Sequence, residues 1–167
     1  VRPDVLIVKG PADADALESA QATGVKSVVA LDAGVSEIPG WDSLLAEAPP
    51  APYAELDPDS VSIIMHTSGT TAAPKGAVMR HSDLMFNVMT TINAHQFSRQ
   101  DVHLLVNPMF HCTALYSSLP TAAYTGTPVI IARSTDPAEL MGLVEKEGIT
   151  TFLSIPSVFQ QVLKLEK

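Results

Sequence analysis

Short apolar runs recur along the chain, separated by segments in which apolar residues fall three and four positions apart. Val5–Val8, 27–31, Val61–His66, 102–106, 128–132 and 150–153 are largely apolar runs of strand length. Between most of them the period lengthens, which predicts helices over 12–22, 41–48, 82–94, 114–123, 137–147 and 157–165. Gly24 and Gly148 stand where helices stop, and Ser82 and Asp136 stand where N-caps are expected. In the 82–94 segment Leu84, Val88 and Thr91 share one face, and Met85, Met89 and Ile92 an adjoining one. Residues 48–58 carry four prolines and no apolar period, so they read as a connector. Continuous apolar strands alternating with helices predict an α/β fold, a parallel sheet with helices on both faces. In such sheets ligands bind beyond the carboxyl ends of the strands. The segments after 61–66, 102–106 and 150–153 are therefore expected to converge on one edge.

Charge divides the chain unevenly. Residues 1–60 hold eleven Asp and Glu against three Lys and Arg, while residues 61–167 hold seven of each, which accounts for the net charge of −8. An acidic surface argues against nucleic acid as a partner. The hydrophobic fraction of 46% is enough for a core, and no apolar run is long enough to span a membrane, which leaves peripheral association open. The single cysteine, Cys112, excludes a disulfide within the chain and suits a reducing, cytoplasmic location.

One stretch is not required by any core. Thr67 to Gly76 reads T-S-G-T-T-A-A-P-K-G and follows directly on an apolar strand. It gathers hydroxyls, backbone N–H groups and the Lys75 ammonium in one small volume, a combination that suits polyphosphate. It is not a Walker A loop: Pro74 stands where the second glycine is required, and Gly76 where a hydroxyl must reach the metal. Nor is Ser68 a nucleophile elbow, because His66 occupies the position two before it that demands glycine.

I-I-M-H-T-S-G-T-T-A-A-P-K-G-A-V resembles the signature loop of the adenylate-forming superfamily, the acyl-CoA synthetases and their relatives. Thr67, Ser68, Gly69, Thr70, Thr71, Pro74, Lys75 and Gly76 fit the usual form, while His66 replaces an aromatic residue and Ala72 a glycine. A second segment, Asn107-Pro108-Met109-Phe110-His111, resembles the family's P-L-F-H turn beside the acyl pocket. A third, 151–157, resembles the T-x-x-x-V-P-[ST] stretch near the acyl and pantetheine channel. Order and spacing agree with the family over 61–167, and more loosely before that. Later family segments, a G-Y-G-x-T-E-like stretch, T-G-D, a hinge and a small C-terminal domain, do not occur. The chain is accordingly expected to be a fragment of the large N-terminal domain that needs the remainder of its own chain. Within it, 1–48 would be an acidic βαβ segment, 49–60 a Pro-rich connector and 61–167 the subdomain bearing the ATP loop.

The resemblance implies adenylation of a small carboxylic acid by ATP, then thioester formation with coenzyme A, with a fatty acid as the expected substrate. Thr67, Ser68, Gly69, Thr70, Thr71, Lys75 and Gly76 would hold the phosphates, with Thr67 and Thr71 near Mg2+. Lys75 and His111 would be catalytic, the first as a point charge on phosphate. Phe110, His111, Ser154 and Pro156 would meet the substrate. A carboxylate is already a nucleophile, so this chemistry requires positioning and charge stabilisation rather than a general base. Cys112 adjoins His111, but neighbouring side chains as a rule point apart and no third orienting group is visible, so a thiol nucleophile is not expected. The histidines lack zinc-ligand spacing. Two other readings stay open: a nucleotide-binding module without ligase activity, or an adenylation domain for another carboxylate. An unrelated hydrolase or NTPase that mimics the loop is a third.

Overall fold

The computed structural model describes residues 3–9, 18–20, 22–31, 39–67 and 74–165. The chain divides into two compact units, Val1–Ala54 and Glu55–Lys167.

In the first unit, strands β1 (Val5–Val8) and β2 (Ser27–Ala30) pair in parallel from Val5↔Ser27 to Val8↔Ala30. Most of the helix expected over 12–22 lies outside the described residues; 18–20 and 22 are helical, and Gly24 leaves the helix at φ +77°. That left-handed conformation suits a residue without Cβ. Helix α1 (Trp41–Glu47) closes the unit.

The second unit begins with an antiparallel hairpin, β3 (Val61–His66) and β4 (Gly76–Arg80), paired as far as His66↔Gly76. Strand β4 departs from the sequence expectation, which ran the loop straight to a helix. Its five residues, G-A-V-M-R, are too few to announce a strand by their own period. They pair only because β3 offers an open edge.

Helix α2 (His81–His95) follows without a break. Its N-cap position is held by Arg80, not Ser82: the Asp83 carboxylate accepts the Arg80 backbone N–H at 2.9 Å, the reach-back half of a capping box. Ser82 Oγ is buried without a partner.

Beyond α2, strands β5 (His103–Leu105), β6 (Val129–Ile131) and β7 (Thr151–Leu153) form a parallel sheet in the order β6-β5-β7. Every residue of β5 is buried. Leu104 packs on one face with Leu140 of helix α4 (Pro137–Glu147) and Val158 of helix α5 (Pro156–Val162). Leu105, on the opposite face by strand alternation, is 1% exposed, and β5 there meets a helical segment that begins at Thr113. Both sheet faces are thus covered by helices. Asp136 caps α4 by accepting the N–H groups of Ala138 and Glu139 at 3.0 and 3.1 Å, and Gly148 ends it at φ +63°.

The helix expected over 114–123 is in fact two elements: a π-helical segment, Thr113–Ser118, runs into α3 (Leu119–Thr125). Pro120 supplies the cause. It has no N–H to give the carbonyl four residues back, and its ring crowds that carbonyl, so the turn before it widens. The carbonyl four back is that of Tyr116, and it is not left orphaned: Asn87 of α2 donates to it through Nδ2 at 3.0 Å.

Candidate functional site

The hairpin fixes the two ends of the loop. One step beyond the His66↔Gly76 pair, Thr67 N–H donates to the Lys75 carbonyl at 2.9 Å, and Lys75 N–H makes a longer contact, 3.4 Å, with Thr67 Oγ1. Thr67, Lys75 and Gly76 of the expected phosphate-binding set therefore sit together at the loop's base. Ser68, Gly69, Thr70 and Thr71 lie outside the described residues. Gly76 has a packing reason to be glycine: a Cβ there would come within 2.9 Å of Ile64 Cγ2, a methyl on a β-branched and therefore stiff side chain.

The second motif forms a tight turn after β5. The His111 N–H donates to the Pro108 carbonyl at 2.9 Å, and the His111 carbonyl accepts the N–H groups of Ala114 and Leu115, which starts the π-helical segment. Three groups crowd His111 Nδ1: Thr113 N–H at 3.4 Å, Thr113 Oγ1 at 3.3 Å and Cys112 Sγ at 3.5 Å. The expectation that Cys112 points away from His111 is not met. The helical backbone starting at residue 112 folds both side chains to the same side. With Nδ1 accepting from Thr113, the neutral ring carries its proton on Nε2 as a donor.

These two elements share a cleft of about 580 Å³. One wall is the hairpin, with Met65, His66 and Thr67 from β3 and its end and Ala77 and Met79 from β4. The other is Phe110, His111 and Cys112 of the turn with Tyr116 of the π-helical segment. The structure thus brings Thr67, Phe110 and His111 to one cavity. Lys75 does not line it.

Ser154 and Pro156 do not line it either. Ser154 hydrogen-bonds Asn107, through Oγ to Oδ1 at 3.2 Å, and Pro156 is the exposed first residue of α5. Asn107, Asn87, Tyr116 and the hairpin residues Met65, Ala77 and Met79 were not among the expected site residues. For Asn107 a signal existed, a polar residue ending an apolar strand. For Tyr116 it was Pro120, four positions on.

The donor set fits phosphate better than an all-protein metal site. At the loop base the N–H groups of Thr67 and Lys75 are taken up within the hairpin, which leaves the Thr67 hydroxyl as a donor there. The residues lining the cleft include no carboxylate, and the described residues contain no cluster of three or more His, Cys, Asp or Glu. A magnesium ion here would keep most of its ligands from phosphate and water, with Thr67 as a hydroxyl on the protein side.

A profile of the family described as AMP-binding enzyme matches residues 1–167, and the chain belongs to that family. It is 32% identical over 139 residues to a feruloyl-CoA synthase from an Amycolatopsis species, covering 82% of this chain and 28% of that one. It is also 32% identical over 119 residues to 4-coumarate-CoA ligase 1 of Narcissus pseudonarcissus, covering 69% and 22%. The chain thus spans about a quarter of the length of these relatives. Among solved structures, ATP-bound MatB of Rhodopseudomonas palustris superposes with a TM-score of 0.81 at 21% identity, over 97% of this chain and 31% of that one. The o-succinylbenzoate CoA synthetase MenE of Bacillus subtilis, in complex with its acyl-adenylate, gives 0.73 at 19% identity, over 89% and 41%. These likenesses establish the α/β fold. No helix among the described residues is long and apolar enough to cross a membrane.

Proposed function

We propose that the chain is a segment of an ATP-dependent acid–CoA ligase. In the proposed reaction a carboxylate oxygen attacks the α-phosphorus of ATP and pyrophosphate leaves, after which the thiol of coenzyme A displaces AMP. The observation that carries this reading is the shared cleft, in which the end of the signature strand at Thr67 faces the Phe110–His111 turn. The phosphates lie against the loop 67–76, with Lys75 as the cationic group and Thr67, Ser68, Gly69, Thr70, Thr71 and Gly76 supplying hydroxyl and N–H donors. Mg2+ neutralises phosphate charge when bound. His111 donates from Nε2 to the acid's carboxylate and fixes its line of attack. Ser154 and Pro156 lie on the side from which the thioester arm arrives. In this reading residues 61–167 are the reacting subdomain, after the acidic segment 1–48 and the connector 49–60, and the enzyme works in the cytoplasm.

The cleft is walled largely by Met, Ala, Phe and Tyr side chains, which suits an apolar acid. A fatty acid is the first reading. The names of the relatives, feruloyl-CoA synthase and 4-coumarate-CoA ligase, favour an aryl-propenoic acid as the second.

Carboxylate-dependent ATP–pyrophosphate exchange by the full-length protein, run against fatty and hydroxycinnamic acids, tests the reading. Exchange that requires an acid is expected, and the acid that supports it separates the two substrate classes. ATP loss without any dependence on acid would reject the ligase in favour of a phosphatase-like use of the loop.

A further inference from the structure

Beyond the last ladder pair of β5 and β7, Leu105↔Leu153, no strand pairing joins the two segments that leave these strands. One side chain continues the connection. Asn107, 8% exposed, donates from Nδ2 to the Leu153 carbonyl at 3.0 Å and accepts from Ser154 Oγ at 3.2 Å through Oδ1. Both ends of its amide are thus used, each on the neighbouring strand's exit. Asn107 also opens the turn that carries Phe110 and His111 into the cleft, yet it does not itself line that cleft.

Resting on the ligase reading above, we propose that Asn107 is a positioning residue that locks the His111 turn to the Ser154–Pro156 segment. It thereby fixes the acid-binding group and the thioester side of the site in one frame. A carbonyl alone cannot do this, because Leu153 needs a donor and Ser154 an acceptor, and a hydroxyl would have to serve both partners from a single oxygen. A primary amide supplies both from one planar group. The phosphate loop hangs on a different pair of strands, with its own Thr67–Lys75 bonds, so Asn107 has no hold on it.

The test is Asn107→Leu in the full-length enzyme, a change of similar volume that removes both bonds. Misplacement of a positioned group by about 1 Å can cost about 10²-fold. A fall of that order in kcat/KM for the acid is expected, with a lower rate of thioester formation and an unchanged KM for ATP. A loss of kcat in step with the loss of folded protein, with every KM unchanged, would mean a purely structural role and overturn the proposal. So would unchanged kinetics.

If the leucine variant does not fold, Asn107→Asp decides. Its carboxyl donates to Leu153 only when protonated, so activity relative to wild type should rise as pH falls from about 8 to about 5. A flat ratio counts against the proposal. If wild type itself lacks acid-dependent exchange, the ligase reading fails. If wild type exchanges and the variants match it, only the role of Asn107 fails.

Discussion

The two walls of the cleft are built on opposite principles. The hairpin wall has no buried residue: Val61 and Val78 are 53% and 57% exposed, and what holds it is backbone pairing. The turn wall grows from β5, buried at every position and packed on both faces, and is tied to its neighbour by a buried amide. A wall held by register tolerates the loss of a side chain but not a displaced backbone. A wall held by packing behaves in the opposite way.

The largest effect should come from the packed side. Leu140→Ala empties a site that is 0% exposed, and is expected to cost about 2–5 kcal/mol in denaturant unfolding. Val78→Ala on the hairpin should stay within about 0.5 kcal/mol. Comparable losses at the two sites would erase the distinction between the walls.

Next comes the one place where the hairpin is intolerant. Gly76→Ala drives a Cβ against Ile64 Cγ2 and should cost about 1–3 kcal/mol through overpacking. Adding Ile64→Ala removes the opposing methyl, so the double variant should show less than the sum of the two single losses. Strict additivity would place the cost elsewhere than in this contact.

Lys75→Ala sharpens the functional side of the comparison. In the full-length protein it should weaken ATP binding by roughly tenfold, the scale of a lost charged hydrogen bond, and leave thermal unfolding unchanged. Unaltered ATP affinity and turnover would remove Lys75 from the proposed phosphate set. Asp136→Ala removes the acceptor for the Ala138 and Glu139 N–H groups and should cost about 1 kcal/mol, readable as a lower unfolding midpoint.

The smallest effect is a pH slope. Burial holds His103 below its ordinary imidazole pKa, with the charge of Asp101 opposing. The unfolded chain takes up this proton near pH 6.5, where the folded chain still refuses it. Stability from this group is therefore complete above about pH 6.5 and is lost as pH falls toward the folded value. Asp101 is held below its ordinary value first by the Ser98 N–H and then by the Thr150 hydroxyl, and adds a loss in the same direction at more acid pH. His103→Gln should flatten the upper part of the slope, as read from unfolding free energies at a series of pH values. An identical slope in the variant would assign the titration to another group.

Much of the architecture was legible before any coordinates. The apolar runs at Val5–Val8, Val61–His66 and 102–106 are strands, or contain them, although only the last is buried at every strand position, while β1 and β3 are half-buried or exposed. Asp136 and Gly148 bound α4 as expected, because capping is a local matter of one side chain or one φ angle. Two elements were not legible. Strand β4 has no period of its own and is a strand because β3 is there to pair with it. The break at Thr113–Ser118 depends on Pro120 and on Asn87, a residue nearly thirty positions away.

The candidate site divides along the same line. The composition of 67–76, with hydroxyls, glycines and a lysine in ten residues, sufficed to single out a loop suited to phosphate, since donor chemistry is a property of residue type. That Thr67 and His111 face one cleft, that Gly76 must lack a side chain and that Asn107 bridges two strand exits are properties of pairing and packing. They arise from contacts between residues up to 47 positions apart in the case of the Asn107 bridge, and only the folded chain brings such residues within hydrogen-bond distance.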